Sequence, residues 1–410
     1  MPSIIVGRDE NDLKTYGEDG TIQIGKHLVG TGEETHTTTP VLLDVLRPHV
    51  ICITGKRGSG KSFSMGIFVE EMLKLPERIK RNLCSLVVDT QGIFWTMKFP
   101  NEKELTLLNA WGVKPAAFDV HVCVPQGQEN LFTKAGVEYD ATFSIHPSQL
   151  TQEDWLALFD LRATEALGVV LQQALGRVTK GYDIDALTRA VMMQQGFEKE
   201  KLALKNYLET AKRWGIFGDA IMPTILQPGK VTVLDVSLTP ENVRCLLLSL
   251  VASNVFEERV KARRLEELAD VEGRPMQRVP LCWVLIDEAH NFLPAEGATA
   301  ATASLNKIVK EGRQPGITLV LATQRPEKLH ADALAQCDLI LSHRLTARND
   351  IDALKAIMQT YLLFDITTYL NELPKLKGSA IILDDNSERV FKVQIRPRQS
   401  WHAGSSPVAA

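Results

Sequence analysis

Residues 55–62 read Gly-Lys-Arg-Gly-Ser-Gly-Lys-Ser, and no other stretch of the 410-residue chain restricts its fold as much. Gly55, four residues, and then Gly60-Lys61-Ser62 is a spacing that lets the backbone wrap an anion with successive N–H groups turned inward. The run before it, HVICIT at 49–54, has the apolar continuity of a buried strand. The segment after it, KSFSMGIFVEEMLKL, reads as an amphipathic helix whose positive dipole end faces the same anion. The whole cradle is then Gly55, Lys56, Arg57, Gly58, Ser59, Gly60, Lys61 and Ser62. Lys61 is expected to lie on the β- and γ-phosphates of ATP, and the Ser62 hydroxyl to ligate Mg2+.

The same strand–turn–helix alternation continues downstream. Strand-length apolar runs occur at 83–89 (LCSLVVD), 119–124, 231–236, 281–287 (LCWVLID), 317–323 (ITLVLAT) and 338–343 (DLILSH). Strands apolar on both faces and separated by helices imply an α/β fold with a mostly parallel sheet covered on both sides. Residues 46–125 and 229–400 are expected to form that core. Residues 1–45 hold short alternating segments and read as a short β-rich piece, too few strands to close a barrel unaided. Residues 126–228 read as a mainly helical insertion, with Thr151 ahead of Glu153–Asp154 as a helix start. The mixed-charge run at 257–274 reads as a solvated helix end with i,i+4 pairs. The tail at 401–410 is expected to be disordered.

Asp287 and Glu288 close the run CWVLI, at the carboxyl end of a strand, where open α/β sheets bind ligands. Asp287 is expected to hold Mg2+ through water, and Glu288 to orient and deprotonate the attacking water. The alternative is that the two acids cap the next helix. Gln324 follows ITLVLAT and either contacts the lytic water and γ-phosphate or forms a turn. Arg313, in EGRQPG, either projects as an arginine finger into a neighbour's site or serves its own helix's carboxyl end. Arg325 and Arg344 are weaker candidates for the same work. Asp89 ends a second core strand and either faces the pocket or caps the turn DTQG. The box DEAH also matches superfamily 2 helicases, but their Arg-rich closing motif QRxGRxGR is absent from the sequence.

A formal net charge of −4 excludes a nucleic-acid-binding field over the whole surface but not a locally basic channel. The amino terminus lacks the pattern of a signal peptide, and no apolar run nears the roughly 20 residues that span a bilayer. The six cysteines form no CxxC pair, and most lie in strand-like runs, which points to reduced core thiols and a cytoplasmic location.

Together GKRGSGKS, VVDTQG, WVLIDEAHNFLP, KEGRQPGITLVLATQRP and CDLILSHRL resemble the HerA branch of the HerA–FtsK translocases, over most of residues 20–400. The resemblance implies a RecA-like P-loop NTPase core in a hexameric ring that pumps double-stranded DNA at the expense of ATP, serving a separate nuclease or effector. It implies that Arg313 acts in trans and that Gln324 senses the γ-phosphate. It also makes the ending VQIRPRQSWHAG similar to a segment that braces neighbouring subunits. Two departures stand out. The amino-terminal barrel of the family is truncated or absent here, and DPHGEY is replaced by DTQGIF, which puts Ile93 where the family has an acid. An ATP-dependent assembly or regulatory scaffold, as in an antiviral defence complex, is the alternative to a DNA pump. A secretion- or conjugation-type motor is disfavoured. Arg177 with Lys180, and the segment from Arg389 to Arg398, are candidates for channel-facing contacts or simply surface charge.

Overall fold

The apolar runs that follow one another in the sequence become neighbours in a single sheet. The computed structural model describes residues 3–30, 34–219, 221–358 and 366–404. Its strands are β1 (Ile4–Val6), β2 (Thr21–Val29), β3 (His36–Asp44), β4 (Val50–Thr54), β5 (Leu83–Asp89), β6 (His121–Pro125), β7 (Ala141–Phe143), β8 (Val231–Asp235), β9 (Leu281–Ile286), β10 (Ile317–Thr323), β11 (Leu339–His343), β12 (Ser379–Asp384) and β13 (Arg389–Ile395). Among the described residues they form one 13-stranded sheet in the order β1-β3-β2-β13-β12-β11-β4-β10-β9-β5-β8-β6-β7. From β11 to β7 every pairing is parallel. The β11–β12, β12–β13, β13–β2 and β2–β3 pairings are antiparallel, and β1 joins β3 in parallel.

Each central strand feeds two cores. From β5, Cys84, Leu86 and Val88 enter one hydrophobic cluster, and Leu83 and Val87 the other; β9 divides Cys282, Val284 and Ile286 from Trp283 and Leu285 in the same way. This is the physical content of a strand apolar on both faces: side chains alternate, and helices cover both sides. Trp283 is buried edge-on against Phe68 of the helix Lys61–Lys74, with ring centroids 6.5 Å apart. All six cysteines are buried and free.

Residues 1–45 do not stand apart as a small barrel. β2 pairs with β13, with Val393 opposite His27, so the amino-terminal strands lengthen the flank of the same sheet. In 126–228, helices from Glu129–Lys134 to Glu198–Arg213 are joined by β7, which forms the opposite sheet edge. Thr151 caps the helix Gln152–Leu158 reciprocally with Asp154.

Two charged segments differ from their sequence reading. The helix Glu241–Glu272 keeps an exposed Arg263–Glu267 pair, but Arg259 and Glu266 within the same run are interior. Arg259 donates to the carbonyls of Pro315 (2.8 Å) and Val279 (2.9 Å) and to Glu266 (3.3 Å). The basic segment ending at Arg398 is likewise not wholly a surface. Glu70, buried in the helix Lys61–Lys74, accepts from Arg396 (2.8 Å), Arg398 (3.3 Å), the N–H groups of Gln399 (3.1 Å) and Ser400 (3.0 Å), and the Ser400 hydroxyl (2.6 Å). Burial pushes the Glu70 carboxyl up, and Arg398, Arg396 and Ser400 more than offset it, leaving it below the usual range. Arg396 and Arg398 are therefore spent inside their own chain and withdrawn as DNA contacts, whereas Arg177 and Lys180 are exposed. Of the tail expected to be disordered, Trp401 donates its N–H to the Phe99 carbonyl (2.7 Å), and residues 405–410 lie outside the described residues. Among the described residues no helix is long and apolar enough to cross a membrane.

Candidate nucleotide site

Parallel strands all end on one edge of a sheet, and here that edge is polar. Thr54 ends β4, Asp89 ends β5, Asp235 ends β8, Thr323 ends β10, His343 ends β11, and Asp287 follows β9. The glycine-rich loop leaves the same edge from β4. Gly60 has φ 121°, a conformation L side chains rarely adopt, and it gives the helix Lys61–Lys74 no side-chain cap. The first N–H groups of that helix are thus left for an external acceptor, which suits a phosphate.

Lys61 is buried beside this loop; burial pushes its pKa down, and the nearby Glu288 and Asp287 carboxyls partly restore it. The Ser62 hydroxyl donates to Asp287 Oδ2 at 2.7 Å, while Asp287 Oδ1 accepts the Glu288 N–H at 2.9 Å. Burial raises the Asp287 pKa against the pull of Ser62 and Lys61. Glu288 sits at φ 50°, ψ 46°, a left-handed conformation costing about 1–3 kcal/mol for a non-glycine residue. Its pKa is raised by burial and by Asp287, and lowered by Lys61 and by the Gln324 backbone N–H that bonds to it. Gln324 is half-buried at this point. Ser59 Oγ and Glu288 Oε2 are buried with no hydrogen bond among the described residues. Such orphaned oxygens beside uncapped N–H groups fit a site completed by a polar ligand. No group of three or more His, Cys, Asp or Glu among the described residues is arranged to hold a metal. A Ser62–Asp287 pair still suits Mg2+, which takes few protein ligands and completes its shell with phosphate and water oxygens.

The turn after β5 settles the two readings of Asp89. Its carboxylate accepts the N–H groups of Gln91 (3.0 Å), Gly92 (2.8 Å), Ile93 (2.8 Å) and Phe94 (2.7 Å), so it caps the DTQGIF turn. Burial and the adjacent Asp235 push its pKa up to about 7. Ile93 packs against one of the two cores. Two histidines escaped the sequence reading, although each lies at a strand's carboxyl edge. His290 meets the Thr323 hydroxyl through Nδ1 at 3.0 Å, and burial and Arg325 push its pKa down to about 4. His343 lies under the glycine-rich loop.

Arg313 is not brought to this site. It precedes β10, whose seven residues run from Ile317 to Thr323, and Thr323 pairs with Thr54 at the root of the loop. At about 3.3 Å per residue, Arg313 is roughly 20 Å from the loop of its own chain. Nor does Arg313 turn back to its own helix end: its side chain is 73% exposed, and among the described residues it meets Asp338 Oδ2 at 3.4 Å. Asp338 further accepts from His49 Nδ1 (2.7 Å) and the Val50 N–H (2.9 Å), and His49 Nε2 reaches Asp44 (3.3 Å). Burial lowers the His49 pKa, but the two carboxylates outweigh it and hold it up at about 9. A cleft of about 720 Å³ opens beside Arg313, with Arg47, Arg259, Arg263 and Arg278 also on its walls. Of the weaker candidates, Arg325 is exposed, and Arg344 meets the loop through its carbonyl, which accepts the Lys56 N–H at 3.2 Å.

Comparison with known proteins agrees with this architecture. The chain is 24% identical over 375 residues to the DNA double-strand break repair helicase HerA of Pyrococcus furiosus, covering 84% of this chain and 64% of that protein. The chain thus spans about two thirds of that relative's length. It is 22% identical to the protein of the same name from Sulfolobus acidocaldarius, covering 97% and 74% of the two chains. Among solved structures, VirB4 of Thermoanaerobacter pseudethanolicus superposes with a TM-score of 0.57 at 14% identity (93% and 97% covered). The bacterial conjugative coupling protein TrwBdeltaN70 superposes with a TM-score of 0.52 at 12% identity (93% and 96% covered), and both share the fold. The model of the HerA helicase central domain matches residues 22–255, more than half of the sequence, and the chain belongs to that family.

Proposed function

We propose that this chain is an Mg2+-dependent ATPase that works as a ring of identical copies, a hexamer, and drives double-stranded DNA through the ring for a separately encoded nuclease or other effector in the cytoplasm. The observation that carries the ring is the separation of Arg313 from the loop of its own chain by the length of β10. A cation so placed can meet a γ-phosphate only on a second copy. The helicase names of the relatives support DNA as the substrate.

In this reading the loop N–H groups and Lys61 hold the β- and γ-phosphates, while Ser62 and Asp287 hold Mg2+, which when bound neutralises charge on the phosphate oxygens. Glu288, its pKa raised by burial and by Asp287, takes a proton from the attacking water as the new P–O bond forms and the bond to ADP breaks. Gln324, fixed next to Glu288 through its backbone, orients that water and contacts the γ-phosphate. Arg313 of the adjacent copy stabilises the departing charge.

The withdrawal of Arg396 and Arg398 into the interior favours a second reading, an ATP-dependent assembly or regulatory scaffold with little translocation. ATP turnover with and without double-stranded DNA, on material sized by mass photometry, separates the two. A DNA pump is expected to be an oligomer strongly stimulated by DNA. An oligomer indifferent to DNA favours the scaffold, and a DNA-independent monomer refutes the ring.

A further inference from the structure

The phosphate loop rests on one side chain outside the nucleotide motifs. His343, the last residue of β11, is fully buried between the loop, the following helix and the start of β12. Its Nδ1 lies 3.3 Å from the Ser379 carbonyl, which can only accept, so Nδ1 carries the proton. The Ser64 hydroxyl lies 2.9 Å from Nε2. Burial without a charged partner pushes the His343 pKa down to about 4, so the ring is neutral and Nε2 accepts from the Ser64 hydroxyl.

Gly55 approaches this residue too closely to carry a side chain, and Gly60 packs tightly on it. A Cβ on Gly55 would lie 2.6 Å from His343 Cβ, and one on Gly60 would lie 3.2 Å from His343 Cε1. The carbonyl of Arg344 then takes the Lys56 N–H, so β11 and the residue after it hold the loop at its first turn and its last. We propose that His343 is a positioning residue for nucleotide binding: neutral, bonded to Ser64 and Ser379, it sets the curvature in which the loop N–H groups and Lys61 converge on phosphate. It touches no nucleotide itself. This rests on the reading of residues 55–62 as the nucleotide cradle.

The test uses the full chain and a fluorescent ATP analogue, with ATP turnover alongside. Replacing the imidazole by methyl, His343→Ala, is expected to weaken analogue binding about ten- to hundredfold, the scale of losing one hydrogen bond to a charged group. At saturating ATP, kcat is expected to stay within about threefold, because Glu288 and Asp287 are untouched. His343→Gln, whose amide can accept at the Nε2 position, is expected to recover much of the affinity. Folded His343→Ala with wild-type affinity overturns the proposal, as does a fall in kcat with the affinity retained. Should His343→Ala not fold, Ser64→Ala decides: weaker binding supports the proposal and unchanged binding overturns it. Lys61→Ala serves as the reference. If it loses binding and both His343→Ala and Ser64→Ala keep it, this inference alone fails. If the wild-type chain binds no nucleotide, the reading of the cradle fails and takes the inference with it.

Discussion

The two edges of the parallel sheet are built from opposite electrostatic choices. On the carboxyl edge, Asp287 and Glu288 carry pKa values raised by burial, His343 and His290 are held neutral, and Ser59 Oγ and Glu288 Oε2 have no hydrogen bond among the described residues. That edge is left incomplete, as a place for a charged ligand must be. On the amino edge the charges are matched within the chain. Arg8 pairs with Asp44, His49 bridges Asp44 and Asp338, and Arg259 pairs with Glu266. Arg313 projects from this closed edge, largely exposed, with a long contact to Asp338 among the described residues. The carboxyl edge is left open to a ligand and the amino edge presents an exposed guanidinium, so the chain has the form of two half-sites pointing in opposite directions.

The largest effect expected from breaking this arrangement is at Arg313. Arg313→Ala should slow turnover by about 10³–10⁵, the range measured for arginine fingers in GTPases, with ATP affinity little changed. A change of a few fold would assign Arg313 to local structure. Glu288→Gln, on the opposite edge, should slow turnover by about 10²–10⁴ and keep nucleotide binding; normal turnover would remove Glu288 as the base. Behind the nucleotide edge, Glu70→Ala strands two buried guanidinium groups and should cost about 3–5 kcal/mol in urea unfolding. A surface pair would lose less than about 1 kcal/mol. The smallest effect is a pH dependence on the amino edge. The folded-state pKa of His49, about 9, lies above its ordinary value, so its stabilisation is fully present below about pH 6.5 and is lost as pH rises through about 9. The difference in urea midpoint between wild type and His49→Gln should narrow over that window. A constant difference would show that the His49 charge contributes nothing.

Most of the carboxyl edge was legible in the sequence because its signals are local. HVICIT before GKRGSGKS and CWVLI before Asp287–Glu288 each place a polar group at the end of a strand apolar on both faces. The amino edge was harder. Pairing of β2 with β13 joins residues more than 350 positions apart, and short alternating strands carry no mark of which partner they take. Buried charge also hides in composition: Arg398 reads as a channel contact or surface charge until the fold brings it to Glu70. A finer signal did exist in the helix Glu241–Glu272. Phe256, Arg259, Ala262, Glu266 and Ala269 recur at helical spacing, so the small residues mark a buried stripe that takes Arg259 and Glu266 inward with it. Asp89 was ambiguous because a capping carboxylate and a ligand-facing one occupy the same position at a strand end; only the four N–H donors decide between them.

The central claim is that the half-sites complete one another between copies. Mixing Arg313→Ala chains with Glu288→Gln chains tests it most directly, since each variant alone is expected to be inactive. In mixed oligomers an interface that joins an intact Glu288 to an intact Arg313 from the next copy should regain ATP turnover, rising and falling with the mixing ratio. Turnover that stays at the level of the two separate variants at every ratio, in oligomers shown to contain both, would contradict the account.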